Sequence, residues 1–378
     1  MSGNMSRVKK RRRNKLIFFI LEIVIFIVLL GALFIWHKAG QLGGLDKLNP
    51  ENLGRSDELD EDLLEDYVSI AIFGLDNRTM GNLSSGNSDV IMVATIDNKN
   101  SQIKLTSVYR DTLLAQQKEE DGEYRYRKAN AAFSEGGAQE AVRMLNKNMD
   151  LDITDYVTVD FKALVDAVDA VGGIEMEIND AEAGLINKYI DELQQWTGTS
   201  SSHLDGAGTY EMDGVQATAY CRIRKTALGD FGRAQRQRKV LAALFKKVKS
   251  SGLSTLNKVF DAVSDEIAST LSGTEIIGLG AKCITYDVGK TAGFPYDLYT
   301  HEYSGIGSVD VPCTLESNVK EFYSLIYNED DYEPSSDVSQ ISQYIQSYTG
   351  TDETSAADYN IEDDGVSDAE DEDGEEDE

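Results

Sequence analysis

Apolar positions along the chain follow two periods, one of two residues and one near 3.6. Val68–Phe73 is a short apolar run of the kind a fully buried strand shows, and Val90–Ile96 is a second. Ile103, Leu105 and Ser107 alternate as a third strand. The period then lengthens, with Ala138, Ala141, Val142, Leu145 and Met149 on one helical face. Tyr156–Val159 reads as a strand. Phe161, Leu164, Val165 and Val168 read as a helix that Gly172 and Gly173 end. Ile174, Met176 and Ile178 alternate again. Residues 181–213 are a polar excursion with room for a helix of its own. Ala217–Ile223 reads as another strand, and Leu241, Leu244, Phe245 and Val248 line a long helix. More helix and strand pattern over 250–328 ends in an amphipathic stretch at Val319–Ile326. Strands interleaved with helices predict an α/β fold with a single mixed central sheet sandwiched by helices.

The two ends differ from this body. Leu16–Trp36 is a run of 21 residues whose only charge is Glu22, long enough to span a hydrocarbon core of about 30 Å. Residues 1–15 hold seven Lys or Arg. The positive-inside rule then predicts one transmembrane helix over 16–36, residues 1–15 in the cytoplasm and the rest of the chain outside. The apolar run is long for a signal peptide and no A-x-A-like site follows it, which favours an uncleaved anchor. Residues 37–66 read as an acidic linker and 67–328 as the folded, extracytoplasmic domain. Residues 329–378 carry many acids and no Lys or Arg, and are expected to be a disordered acidic tail.

The net charge of −30 therefore describes mainly the ends. It gives no basic face for nucleic acid. Three cysteines exclude a disulfide-built scaffold. Cys221 reads as a buried apolar thiol, whereas Cys283 and Cys313 could pair, which spacing does not decide. The three histidines, His37, His203 and His301, lie outside every polar cluster below, so no Ser-His-Asp set is available.

Three polar clusters interrupt the apolar framework. The first is Gly74-Leu75-Asp76-Asn77-Arg78, after the first strand, with Ser88-Asp89 opening the second. Asp76 and Asp89 could converge on one hard cation, since Mg²⁺ takes one or two carboxylates with phosphate oxygens and water. They could equally be loop carboxylates bound to backbone amides. The second is Tyr109-Arg110-Asp111 at a strand's carboxyl end, where open α/β sheets place ligands. Arg110 offers a planar fork suited to phosphate, and Asp111 suits a turn cap. The third is Arg222, Arg224, Asp230, Arg233, Arg236 and Gln237. Arg222 and Arg224, two apart on the expected strand, would share a face. Arg233 and Gln237 point the way of Leu241, Leu244 and Val248, toward the core. Arg233 and Arg236 also sit in a first helical turn, where the macrodipole disfavours cations. A bound anion would compensate, as would internal salt bridges to acids such as Asp230. Arg238 and Lys239 read as solvent-facing charges. The inventory suits metal-assisted chemistry on a phosphate or pyrophosphate.

The stretches IAIFGLDNR, NSDVIMVATID, KLTSVYRDT, KANAAFSEGGAQEAV, DYVTVDFKALVDAVDAVGGIEMEI and ATAYCRIRKTALGDFGRAQRQRKVL, in this order, resemble the LytR-CpsA-Psr family of cell-envelope proteins. The resemblance covers roughly residues 70–245. It implies an extracytoplasmic phosphotransferase in the cell membrane of a Gram-positive-type envelope. The donor would be an anionic glycopolymer of teichoic acid or capsule type on polyprenyl pyrophosphate, and the acceptor peptidoglycan. By the same resemblance Asp76 and Asp89 would hold Mg²⁺ (or Mn²⁺). Arg78, Arg110, Arg222, Arg224, Arg233, Arg236 and Gln237 would surround the pyrophosphate, and the polyprenyl tail would lie in an apolar tunnel between sheet and helices. Asp89 or Asp111 could take the acceptor's proton. Tyr109 stands where many relatives have Pro. Two other readings remain: a membrane-tethered binder of the lipid-linked polymer without turnover, and a transcription regulator. The second has only about 15 residues on the cytoplasmic side by the positive-inside rule.

Overall fold

The computed structural model describes residues 47–75, 83–84, 86–118 and 124–359. The expected membrane span, its basic flank, Asp76, Arg78 and the last acidic residues lie outside the described residues.

Six strands form the central mixed sheet in the order β10-β3-β2-β1-β6-β9. These are β1 (Tyr67–Leu75), β2 (Ser88–Asp97), β3 (Gln102–Val108), β6 (Asp155–Val159), β9 (Ile267–Ser269) and β10 (Asp287–Phe294). The β1–β2, β2–β3 and β6–β9 pairs are antiparallel, and β1–β6 and β3–β10 are parallel. Three hairpins stand beside the sheet: β4 (Leu113–Lys118) with β5 (Tyr124–Lys128), β7 (Ile174–Ile178) with β8 (Gly208–Met212), and β11 (Leu298–Tyr303) with β12 (Gly307–Pro312). The helices are α1 (Ala131–Met149), α2 (Phe161–Ala170), α3 (Asp180–Thr197), α4 (Gly214–Cys221), α5 (Gly229–Ser251), α6 (Leu253–Val263), α7 (Gly273–Cys283), α8 (Leu315–Phe322) and α9 (Ser336–Thr349).

Strand alternation sorts side chains into two layers. Ala71, Phe73 and Leu75 of β1 enter one core, built with α1, α8 and α9. Ile72 and Val157 face the other side, where a second core of α2, α3, α4 and α5 lies. Between that second layer and the sheet a cavity remains. Gly214 permits the approach of α4 to α2, since a Cβ there would fall 2.1 Å from the Val165 carbonyl oxygen. Gly293 in β10 likewise makes room for the buried Tyr109 ring, whose hydroxyl would meet a Cβ at 1.9 Å.

Several expectations need correction. Ala217–Ile223 is not a strand. Its residues lie in and just after α4, whose eight residues are all buried. A short apolar run buried on every side has no period that separates strand from helix. The deciding signal is the capping box, in which Asp213 and Gln216 bond each other's backbone N–H. Arg238 is not solvent-facing but buried, because α5 packs against β3, β10 and β7. Cys283 and Cys313 are buried free thiols, as is Cys221. Part of the expected linker is structured: Leu53 is buried in the core, and a single helical turn spans Glu61–Leu64.

The acidic tail is also shorter than its composition suggests. Residues 336–349 form α9, which buries Val338, Ile341 and Ile345. Asp150 ends α1 in a left-handed conformation. Its carboxylate accepts from the Ser335 N–H at 2.7 Å and the Ser335 hydroxyl at 2.6 Å, fixing where α9 starts. Lys147 pairs with Asp337 across the same junction. We expect Ile345→Ala to cost about 3 kcal/mol in urea unfolding, the usual price of a core truncation. An unchanged midpoint would mean that α9 does not dock.

Asp310, on β12, is buried. Its N–H donates to the Asp111 carbonyl at 2.9 Å and its carboxyl accepts from the Thr300 hydroxyl at 2.8 Å. Burial, with the charges of Asp111 and Asp230 beside it, pushes the carboxyl up from 3.8 to about 6. The folded chain thus holds this proton more tightly than the unfolded one. The stabilisation is complete below pH 4 and is lost as pH rises through about 6. Asp310→Asn keeps an oxygen for Thr300 and does not ionise. Its stability should therefore gain about 2 kcal/mol on the wild type between pH 4 and pH 7. Parallel urea-unfolding profiles across that range would refute the assignment.

Candidate active site

The carboxyl ends of β1, β3 and β6 and the start of β2 meet at one edge of the sheet, with the first turns of α5 opposite. Four cations and three carboxylates alternate across this edge. Lys128 Nζ lies 3.0 Å from Asp111 Oδ1, and Arg110 Nε lies 3.4 Å from Asp111 Oδ2. Arg110 Nη1 pairs with Asp89 Oδ1. Arg233 Nη1 lies 3.4 Å from Asp89 Oδ2, and its Nη2 lies 3.2 Å from Asp230 Oδ1. Arg224 closes the row with a two-point bond to Asp230 at 2.7 and 2.9 Å.

Electrostatics follow from this order. Burial depresses the Arg233 guanidinium, and Asp230 and Asp89 work against that. Burial works to raise Asp230, but the Arg224 bonds and the charges of Arg233 and Arg110 outweigh it and hold the carboxyl below its usual range. The bonds to Asp230 raise Arg224. The row carries one more cation than carboxylate, and Asp310 lines the same recess as Asp89, Arg110, Asp230 and Arg233.

Beside the row opens an apolar cavity of about 430 Å³. Ile72, Val157, Ala163, Leu164, Leu241 and Leu244 line its depth. Asp89, Arg222, Arg224, Arg233 and Gln237 stand at its polar end. The volume is of the size that holds a small ligand or part of a longer one.

The structure thus gathers Asp89, Arg110, Asp111, Arg224 and Arg233, with Gln237 on the cavity wall, its amide donating to the Cys221 carbonyl at 3.5 Å. Asp76 and Arg78 fall outside the described residues. Arg222 and Arg224 do not share a strand face, since Arg222 caps α4 and Arg224 follows in a loop. Arg222 lies over the rings of Trp196, Tyr189 and Phe161 at 4.7, 5.0 and 5.1 Å and pairs with Glu192 at 3.3 Å. Arg236 lies outside the row, bonded to Glu182 at 3.0 Å and over Tyr220. The helix begins at Gly229, so Arg233 is its fifth residue and Arg236 its eighth, and neither sits in the expected first turn where the dipole acts. Glu182 of α3, an acid from the polar excursion, answers the Arg236 charge. The internal salt bridges weighed for the arginines are real for Arg224, Arg233 and Arg236. Asp111 carries an ion pair to Lys128. Lys128 and Asp310 had no sequence signal, because the hairpins that deliver them show no period pointing to the sheet edge.

For a divalent cation, the described residues supply the Asp89 carboxylate, held by two guanidinium groups. No cluster of three or more His, Cys, Asp or Glu able to hold a metal occurs among them. Mg²⁺ accepts one or two carboxylates when phosphate and water complete its shell, and among the described residues Asp89 supplies one.

Known proteins share this fold. The protein gbs0355 from Streptococcus agalactiae superposes with a TM-score of 0.60 at 24% identity, covering 77% of this chain and 97% of that one. In sequence, the chain is 31% identical over 221 residues to the polyisoprenyl-teichoic acid–peptidoglycan teichoic acid transferase TagV of Bacillus subtilis, covering 58% of this chain and 53% of that protein. It is 33% identical over 214 residues to the TagU protein of the same description from Bacillus mycoides, covering 56% and 63%. The chain therefore matches less than two thirds of the length of these relatives. The model of the LytR_cpsA_psr family matches residues 44–291, more than half of the sequence, and the chain belongs to that family.

Proposed function

We propose that the protein is a phosphotransferase that moves an anionic glycopolymer, of the teichoic acid kind, from polyprenyl pyrophosphate to peptidoglycan. The observation that carries this reading is the junction of an apolar cavity with a row of guanidinium groups. A polyprenyl pyrophosphate has the same division into an apolar tail and a polyanionic head. The names of the relatives support the substrate class, and Leu16–Trp36 would hold the domain at the membrane where such a lipid resides.

In this reading Arg110, Arg224 and Arg233 leave their carboxylates in part to take the pyrophosphate oxygens. Planar forks suit two-point phosphate contacts. The acceptor oxygen forms a bond to the polymer-side phosphorus. The bond from that phosphorus to the bridging oxygen breaks, and polyprenyl phosphate departs with the electron pair. The guanidinium groups stabilise the charge gathering on the leaving phosphate. Asp89 or Asp111 receives the acceptor's proton. Asp89, with Asp76, would hold Mg²⁺, which supplies charge neutralisation at the phosphates when bound. The cavity wall of Leu164, Leu241 and Leu244 keeps water from the tail.

The full chain in detergent, given the polymer-bearing polyprenyl-pyrophosphate donor and Mg²⁺, should release polyprenyl phosphate, with water as acceptor when peptidoglycan is absent, and EDTA should stop it. Arg110→Ala should lower the rate by about 100-fold or more, the scale of removing one charge-stabilising donor. Tight donor binding with no release by either protein, even with a peptidoglycan acceptor present, would replace the transferase by a lipid-polymer binder. A separate variant, Leu244→Trp, fills the cavity rather than the charged row. It should lower turnover of a long-chain donor by about tenfold and spare a short, soluble one. Equal losses on both would place the tail elsewhere.

A further inference from the structure

Three of the exposed large apolar side chains among the described residues, Tyr299, Tyr344 and Tyr348, belong to one strip. Tyr126 of β5 stacks on Tyr344 of α9 with centroids 4.1 Å apart and planes 8° from parallel. Tyr344 and Tyr348 are 6.2 Å apart and 9° from parallel. The strip continues through Tyr303 at 6.0 Å from Tyr348, then His301 at 4.9 Å and Tyr299 at 5.8 Å. Tyr299, His301 and Tyr303 alternate along β11 and so share a face.

Folding does not require these rings outside. α9 buries Val338, Ile341 and Ile345 on one face and leaves Tyr344 and Tyr348, four residues apart, on another. A contiguous exposed apolar patch marks an interaction site, whereas scattered single residues do not. Tyrosine serves such sites well, with a flat apolar body and a polar tip.

Charge narrows the occupant. Neither α9, β11 nor β12 contains Lys or Arg, and the chain has none after Lys320. A polyphosphate chain would find no counter-charge along the α9 and β11 part of the strip; Lys128, at the β5 end, is the nearest cation the strip offers. A polysaccharide with an uncharged sugar backbone would find rings for its apolar faces and hydroxyls for its own. The strip is also continuous with the charged row. Tyr126 lies two residues before Lys128 on the same face of β5, and Lys128 pairs with Asp111. A polymer lying on the strip could present a hydroxyl toward that end.

We propose that this strip binds the glycan backbone of the acceptor, an inference that rests on the transferase reading. The donor then enters by the cavity and the acceptor by the tyrosines, with the arginine row between them. The region matched by the family model ends at residue 291, so most of the strip comes from a part of this chain beyond it.

The test is calorimetric titration of the full chain, in detergent, with a β-1,4-linked N-acetylglucosamine hexamer. Wild type should bind saturably. Tyr344→Ser with Tyr348→Ser should bind about tenfold or more weakly, and Leu253→Ser, which removes an exposed apolar side chain elsewhere, should bind like wild type. Tyr299→Ser, on the hairpin rather than α9, should weaken binding too, which covers the case of a misfolded α9. Donor cleavage without acceptor should be unchanged in all of these variants. No hexamer binding by wild type, or equal binding by wild type and the tyrosine variants, with donor cleavage intact, overturns the strip and leaves the transferase standing. Loss of self-association in the double variant, with no hexamer binding, overturns it in favour of a face between two copies. Hexamer binding that depends on the tyrosines in a protein without donor cleavage supports the strip as a glycan site and removes the transferase.

Discussion

A guanidinium group is not buried without an anion beside it, and Arg233 is buried in the second turn of α5. Much of the site's design answers this constraint. Asp89 must reach Arg233 from the start of β2, and Asp230 must reach it from one turn earlier on α5. That fixes α5 against the sheet edge. Asp89 in turn draws Arg110 from the end of β3, and Asp230 draws Arg224 from the loop after α4. Residues scattered over more than a third of the sequence come to one edge because each leaves its neighbour's charge incompletely answered.

Such a row is stable without ligand and still fitted to one. Every carboxylate in it is shared between two cations, so none of the guanidinium groups is neutralised by a carboxylate of its own. In the proposed reading, an incoming pyrophosphate would bring its own negative charge and exchange for these contacts rather than meet bare, fully solvated cations. Such an exchange would cost less than stripping water from isolated arginines, since the desolvation was already met on folding. Asp310 belongs to this balance. Its carboxyl is held toward the neutral form up to about pH 6, so a fourth carboxyl sits in the recess while adding little negative charge below that pH.

The framework of β1, β2, β3, α1, β6, α2 and β7 was legible in the sequence, because each has a clean period and a visible stop. The facing of Arg233 and Gln237 was legible for the same reason: they lie on the stripe of Leu241 and Leu244. Period carries no information where an element is buried on every side. The all-buried Gly214–Cys221 reads alike as strand or helix, and a strand there implies a face shared by Arg222 and Arg224 that the helix does not provide. Arg238 looked solvent-facing because periodicity marks one buried stripe, while α5 is covered on more than one side. Asp310 and Lys128 come from hairpins outside the sheet, and only tertiary contacts bring them in.

The C-terminal helix shows how composition conceals a fold. Between the acidic residues before 334 and those after 351, Ser336–Thr349 holds one acid and no base. Its serines and glutamines lower the average hydropathy to that of a tail, yet three aliphatic side chains on one face are enough once Asp150 fixes its first turn. With those three turned inward, the tyrosines at 344 and 348 have only the outer face left. An aromatic pair there contributes little to folding beyond the contact with Tyr126. Tyr303, from a separate hairpin, packs against the same core as α9 and donates its hydroxyl to the Thr349 carbonyl at 3.4 Å, which brings the two elements together. Stability accounts for α9 docking beside β11, and the exposure of Tyr299, Tyr344 and Tyr348 along one line is the part that a bound polymer would explain.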